Sequence, residues 1–133
     1  MQDFVSIVFD PSFKYNELLY GRVGFLYSLL FVSKHLEKAT EPWIAEQITK
    51  LANLIIKLGR EYELDCPLMY EWHKKTYLAG AHGVAGILAV LLQVPNLLQD
   101  ETIKRDIKGT IDYIIGLKFP SHNFPTRGKN TQF

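Results

Sequence analysis

An all-α fold of paired inner and outer helices is what this 133-residue sequence predicts. Three observations carry that reading. Two stretches place apolar residues at helical spacing. Two others are apolar almost all round. The four alternate as one pair that recurs 62 residues later, from Gly21 and Gly24 to Gly83 and Gly86. Strand signals are poor: no alternating apolar runs joined by Asn-Gly or Asp-Gly turns occur.

The first buried helix is expected from Val23 to Val32, VGFLYSLLFV, whose lack of a polar face implies burial on every side. An amphipathic helix follows over about 41–59. Ile44, Ile48, Leu51, Ile55 and Leu58 share one face, Pro42 suits the first turn, and Gly59 suits the stop. Residues 60–82 form a long connection broken by Pro67 and carrying Tyr62, Tyr70, Trp72 and Tyr77. The second buried helix runs from Val84 to Val94. The second amphipathic helix covers about 100–117. Asp100 and Glu101 lie in its first turn, Ile103, Ile107, Ile111, Ile114 and Leu117 form its face, and Gly116 and Pro120 close it. Neither pair can bury its apolar surface alone, so neighbours must stack, as in an α-solenoid or a closed α/α barrel. Residues 126–133 read as a divergent, disordered tail.

Fifteen Lys+Arg against fourteen Asp+Glu leave a net charge of +1, without the basic excess of a nucleic-acid protein. One cysteine, Cys66, excludes an internal disulfide and any multi-cysteine zinc module. No run reaches the ~18 apolar residues of a membrane span. The start Met1-Gln2-Asp3 has neither a signal-peptide pattern nor a myristoylation glycine. The expected setting is the cytoplasm.

The sharpest chemical feature is Gly80-Ala81-His82-Gly83-Val84-Ala85-Gly86. It places His82 at a helix mouth, where the dipole favours the neutral imidazole, a competent general base or ligand. A capping histidine with a satisfied hydrogen bond is the competing reading. The sister element Leu19 to Gly24 contains Arg22, the only charge between Glu17 and Lys34. Arg22 suits a carboxylate or phosphate, or an ion pair with Glu17. His35, His73 and His122 read as surface residues. No zincin helix, P-loop or nucleophile elbow occurs.

Four motifs in one order carry a resemblance: Asn16 to Gly24, Pro67 to His73, Gly80 to Ile87 and Phe119 to Pro125. Together they resemble the eukaryotic LanC-like proteins, relatives of the bacterial lanthionine synthetase C cyclases, over about residues 10–125. The resemblance implies a double α/α toroid of seven inner and seven outer helices, of which residues 1–125 form a part. It implies glutathione as co-substrate and glutathione addition to dehydroamino acids in proteins or peptides. His82 aligns with the family's active-site acid/base. Arg22 matches the Gly-Arg-x-Gly element, with substrate binding as its expected role. The family metal is zinc, held by two cysteines and a histidine, and Cys66 matches none of these ligands. The isolated chain is therefore expected to be inactive, with exposed inner-helix flanks that a partner or a second copy covers. The alternative reading is a non-catalytic helical-repeat module that binds glutathione or a protein. A toroidal carbohydrate enzyme would need paired carboxylates, for which only Glu17 and Glu71 are near the loops.

Overall fold

The computed structural model of the protein describes residues 2–35, 42–62 and 65–128. Five α-helices follow in order: α1 (Gln2–Phe9), α2 (Arg22–His35), α3 (Pro42–Arg60), α4 (Val84–Leu91) and α5 (Glu101–Gly116). A 3-10 turn over Leu97–Gln99 precedes α5. Among the described residues there is no strand, only isolated bridges of Trp72 with Lys75 and of Tyr77 with Arg127. The fold is all-α, as the periodicities require.

The amphipathic helices bury the faces expected of them. In α3, Ile44, Ile48, Leu51 and Ile55 are buried and Leu58 is half-buried. Each fully buried side chain of this kind stabilises the fold by about 1.5–3 kcal/mol. In α5, Ile103 and Ile107 are buried, and Ile111 and Ile114 half-buried. Asp100 lies one position before the first turn and caps the helix. Its carboxylate accepts from the backbone N–H of Thr102 (2.9 Å) and of Ile103 (3.2 Å). The Thr102 hydroxyl bond, with those backbone bonds, holds the Asp100 carboxyl below the usual carboxylate range.

Gly59 is not a helix stop, because α3 runs through it to Arg60. Its role is steric: a Cβ there would meet the Tyr70 ring, whose hydroxyl donates to the Ile55 carbonyl at 3.0 Å. The helix start placed at Glu41 lies outside the described residues. The second apolar helix is shorter than its apolar run, ending at Leu91 with Leu92 as cap. Val94 precedes Pro95, a position that disfavours helical backbone, and the chain turns there.

The helix α2 packs on its outer partner α3 and on the second inner helix α4. Leu26 of α2, Leu51 and Ile55 of α3, and Ile87 and Leu91 of α4 are fully buried in one hydrophobic cluster. All-round burial is not what α2 shows. Tyr27 and Phe31 are about half exposed, at 47% and 52%, on a face that no described element covers. The region expected to be a disordered tail is paired over its first residues. Leu78 N–H donates to the Thr126 carbonyl and Gly128 N–H to the Thr76 carbonyl, at 3.0 and 2.9 Å. Backbone pairing overrides composition for 126–128, while 129–133 lie outside the described residues.

Candidate functional site

The two glycine-rich loops fold in the same way. At the start of α2, Arg22 N–H donates to the Tyr15 carbonyl and Val23 N–H to the Asn16 carbonyl, at 3.0 and 3.2 Å. At the start of α4, Val84 N–H donates to the Tyr77 carbonyl and Ala85 N–H to the Leu78 carbonyl, again at 3.0 and 3.2 Å. Donors and acceptors are all displaced by 62 residues (22 to 84, 15 to 77). The helix-start N–H groups, which have no partner within their own helix, are thereby satisfied by the preceding loop. That close return needs glycine. A Cβ on Gly24 would meet the Leu18 carbonyl oxygen, and one on Gly86 would meet the Gly80 carbonyl oxygen.

The loops lie side by side and join Glu17 of the first to His82 of the second. Glu17 is buried, with 2% exposure, and its carboxylate accepts three bonds. Two come from its own loop, from the N–H groups of Leu19 (2.8 Å) and Tyr20 (2.6 Å). The third is from Nδ1 of His82 at 3.0 Å. A carboxylate only accepts, so this contact places a proton on Nδ1 and leaves Nε2 as the working nitrogen. Nε2 has no hydrogen-bond partner among the described residues, and the His82 side chain is 28% exposed. A buried orienting carboxylate behind a partly exposed imidazole is an acid/base arrangement.

Aromatic rings enclose the histidine. The Trp72 ring lies parallel to it at 3.9 Å between centroids and 7° between planes. The Tyr20 ring is parallel at 6.2 Å and 6°. Tyr20 occupies in the first loop the position that His82 occupies in the second (20 to 82). The connection 60–82 is therefore part of the site. His73, expected at the surface, is exposed but sits 4.3 Å from the Trp72 ring. His35 bonds the Phe31 carbonyl at the end of α2, and His122 lies in an exposed turn. Neither comes to the site.

Arg22 does not pair with Glu17. It is 2% exposed, and its Nε donates to the Val8 carbonyl (2.7 Å), Nη2 to the Asp10 carbonyl (3.1 Å) and Nη1 to Asn16 Oδ1 (3.0 Å). Its guanidinium also covers the Phe13 ring at 5.2 Å. Burial lowers the Arg22 pKa from its ordinary value, with Asp10 opposing. Arg22 ties α1 and residues 10–16 to the start of α2. Beside it lies a cleft of about 520 Å³, lined by Lys14, Lys57, Tyr62 and Glu71 among others, which does not include His82. Glu71, the other carboxylate considered for a glycosidase pair, is exposed and accepts from the Tyr62 hydroxyl at 3.4 Å.

The described residues do not fit a zinc site. Cys66 is buried, its thiol donates to the Leu68 carbonyl at 3.3 Å, and burial raises its pKa. Zinc binds the thiolate, which that setting disfavours. Among the described residues no three His, Cys, Asp or Glu side chains gather to hold a metal. No helix among the described residues is long and apolar enough to cross a membrane.

Comparison with known proteins matches the chain over residues 2–132 to the family described as lanthionine synthetase C-like protein. It is 34% identical over 115 residues to "Glutathione S-transferase LANCL1" of Danio rerio, covering 82% of this chain and 28% of that protein. It is 39% identical over 113 residues to "LanC-like protein GCL1" of Arabidopsis thaliana, covering 82% of this chain and 25% of that protein. The chain thus spans about a quarter of the length of these relatives.

Proposed function

The chain belongs to the lanthionine synthetase C-like family, and from that premise we propose that it carries the acid/base half of a site adding glutathione to dehydroamino acids in proteins or peptides. In that reaction the glutathione thiol releases its S–H proton, and the thiolate sulfur bonds to the β-carbon of a dehydroalanine or dehydrobutyrine residue. The double-bond electrons move onto the α-carbon and its carbonyl as an enolate. A proton must then reach the α-carbon. His82 supplies it from Nε2, while the Glu17 carboxylate keeps Nδ1–H in place and balances the charge of the imidazolium that acts as donor. The single observation that supports this reading most is the His82–Glu17 contact, built from two loops 62 residues apart.

One relative's name supports the substrate class: it is called a glutathione S-transferase, which makes glutathione the proposed thiol. The cytosol, whose thiols glutathione keeps reduced, is the compartment this reading requires. Arg22, expected at the substrate, is assigned here to supporting the site, because its donors engage Val8, Asp10 and Asn16. Zinc remains the proposed thiol-holding metal, with ligands other than those described.

The test is adduct formation on a dehydroalanine peptide, followed by mass spectrometry, in a complete family protein carrying this segment. His82→Ala should slow it by about 10²–10⁴-fold, with glutathione affinity retained. Unchanged turnover would remove the acid assignment.

A second reading is favoured by one observation, the missing metal-binding group among the described residues. It makes the 133-residue chain a non-catalytic module that binds glutathione or a protein. Calorimetry on the chain with glutathione separates the two: heat without adduct formation supports the module, and adduct formation by the chain alone eliminates it.

A further inference from the structure

The acid/base reading uses only one of the two groups that hold His82. The second is Trp72, whose indole covers the imidazole face in parallel at 3.9 Å. The position of Trp72 is set with care. Its N–H donates to the Lys75 carbonyl at 2.9 Å, and Lys75 N–H returns a bond to the Trp72 carbonyl at 3.1 Å. The two residues between them, His73 and Lys74, have φ of 47° and 60°. Positive φ at both centres is the type I′ hairpin turn, which favours asparagine and glycine. His73 and Lys74 occupy it at a cost, and such strain concentrates at functional sites. Tyr77 also meets the indole edge-on at 5.7 Å, and the Arg127 guanidinium lies over Tyr77 at 5.6 Å.

We propose that Trp72 is a positioning residue for His82: its indole face fixes the imidazole plane and attracts the imidazolium form, so that Nε2 stays presented as the proton donor. This rests on the reading of His82 as that donor. The physical need is specific. The N-terminus of α4 opposes positive charge two residues after His82. Glu17 counters it in the ring plane through Nδ1, and an aromatic face counters it from above. Among the described residues the other ionisable groups around this stack are Tyr20, parallel to the imidazole, His73 and Tyr77 against Trp72, Glu71, Lys74 and Lys75 beside Trp72 in the chain and its hairpin, and Arg127 over Tyr77. Lys74, Lys75 and Arg127 carry the fixed positive charges there.

Stacking of an indole on an imidazole has signatures that a packing role lacks. Protonated imidazole quenches indole emission on contact, and an indole face moves the ring protons of its partner upfield. The experiment uses the full chain with Trp43→Phe, which leaves Trp72 as the sole indole, and His73→Asn, which removes the other adjacent imidazole. Asparagine tolerates the positive φ at position 73. Acidification that protonates the imidazole should quench Trp72 emission. His82→Gln in the same background should abolish that quench. Trp72→Leu should move the His82 ring protons downfield, and Trp72→Phe should restore most of the shift. Emission independent of pH, or His82 resonances unmoved by Trp72→Leu, overturns the proposal. If Trp72→Leu does not fold, the His82→Gln comparison decides by itself, since it leaves the hairpin untouched. A quench that is present while His82→Ala retains full turnover would leave the stacking standing and remove the donor role.

Discussion

At the scale of single residues, the chemistry depends on which partner each charged group takes. His82 stood out in the sequence because its glycine-rich surroundings announce a helix entry. Glu17 did not, and Arg22, five residues on, looked the natural partner for it. The loop reverses direction between them. Three N–H donors converge on the Glu17 carboxylate, and Arg22 turns to the Val8 and Asp10 carbonyls instead. Replacing Arg22 by Met should therefore destabilise the fold by about 3 kcal/mol, since buried acceptors lose charged donors, measured by urea unfolding. A stable Arg22→Met protein with weakened glutathione binding would return Arg22 to the substrate. Cys66 offers a second check. Buried and with its pKa raised, its thiol should react with an aromatic disulfide reagent more than about tenfold slower in the native chain than in denaturant. Equal rates would show it exposed.

At the scale of elements, a glycine in the first turn of α4 and one at the end of α5 make opposite predictions. Gly86→Ala would drive a Cβ into the Gly80 carbonyl oxygen, and overpacking of this kind costs about 1–3 kcal/mol. Gly116→Ala meets nothing within 4 Å at the end of α5, and should stabilise by about 0.5–1 kcal/mol. Thermal unfolding of both variants compares them directly, and a neutral Gly86→Ala would contradict the close loop packing. The Asp100 cap sets a pH dependence. Its folded carboxyl titrates below 3.8, the ordinary value, so its contribution is complete above that value and disappears as pH falls through the lower folded one. Asp100→Ala should lower the unfolding midpoint at pH 7, and the difference from the unaltered chain should shrink as pH falls below 3.8. The helix faces of α3 and α5 were legible because a 3.6-residue period displays them directly. The early end of α4 was less so, because an apolar run carries no mark of where its backbone turns.

At the scale of the whole molecule, α2 is an inner helix with one face uncovered by any described element, marked by Tyr27 and Phe31. Exposed apolar surface of this kind favours association. Light scattering on the 133-residue chain should show mass rising with concentration, and Tyr27→Glu with Phe31→Glu should return it to a monomer. A monomer at every concentration would mean that this face tolerates water. The pairing of Thr126–Gly128 with Thr76–Leu78 belongs to the same scale. A tail of basic, Gly- and Pro-containing residues has no local reason to order, and gains one only where a partner segment presents free backbone groups.

The sequence by itself determined the all-α class, the helix pairs, the 62-residue recurrence and the place of His82. These follow from local spacing and from the backbone demands of glycine, which a linear chain displays openly. Only the tertiary structure decided that Glu17 faces His82, that Trp72 lies on its ring, and that Arg22 supports the loop. Those contacts join residues 65, 10 and 14 positions apart. Their partners are selected by how two loops and a hairpin meet, and no local periodicity encodes that meeting.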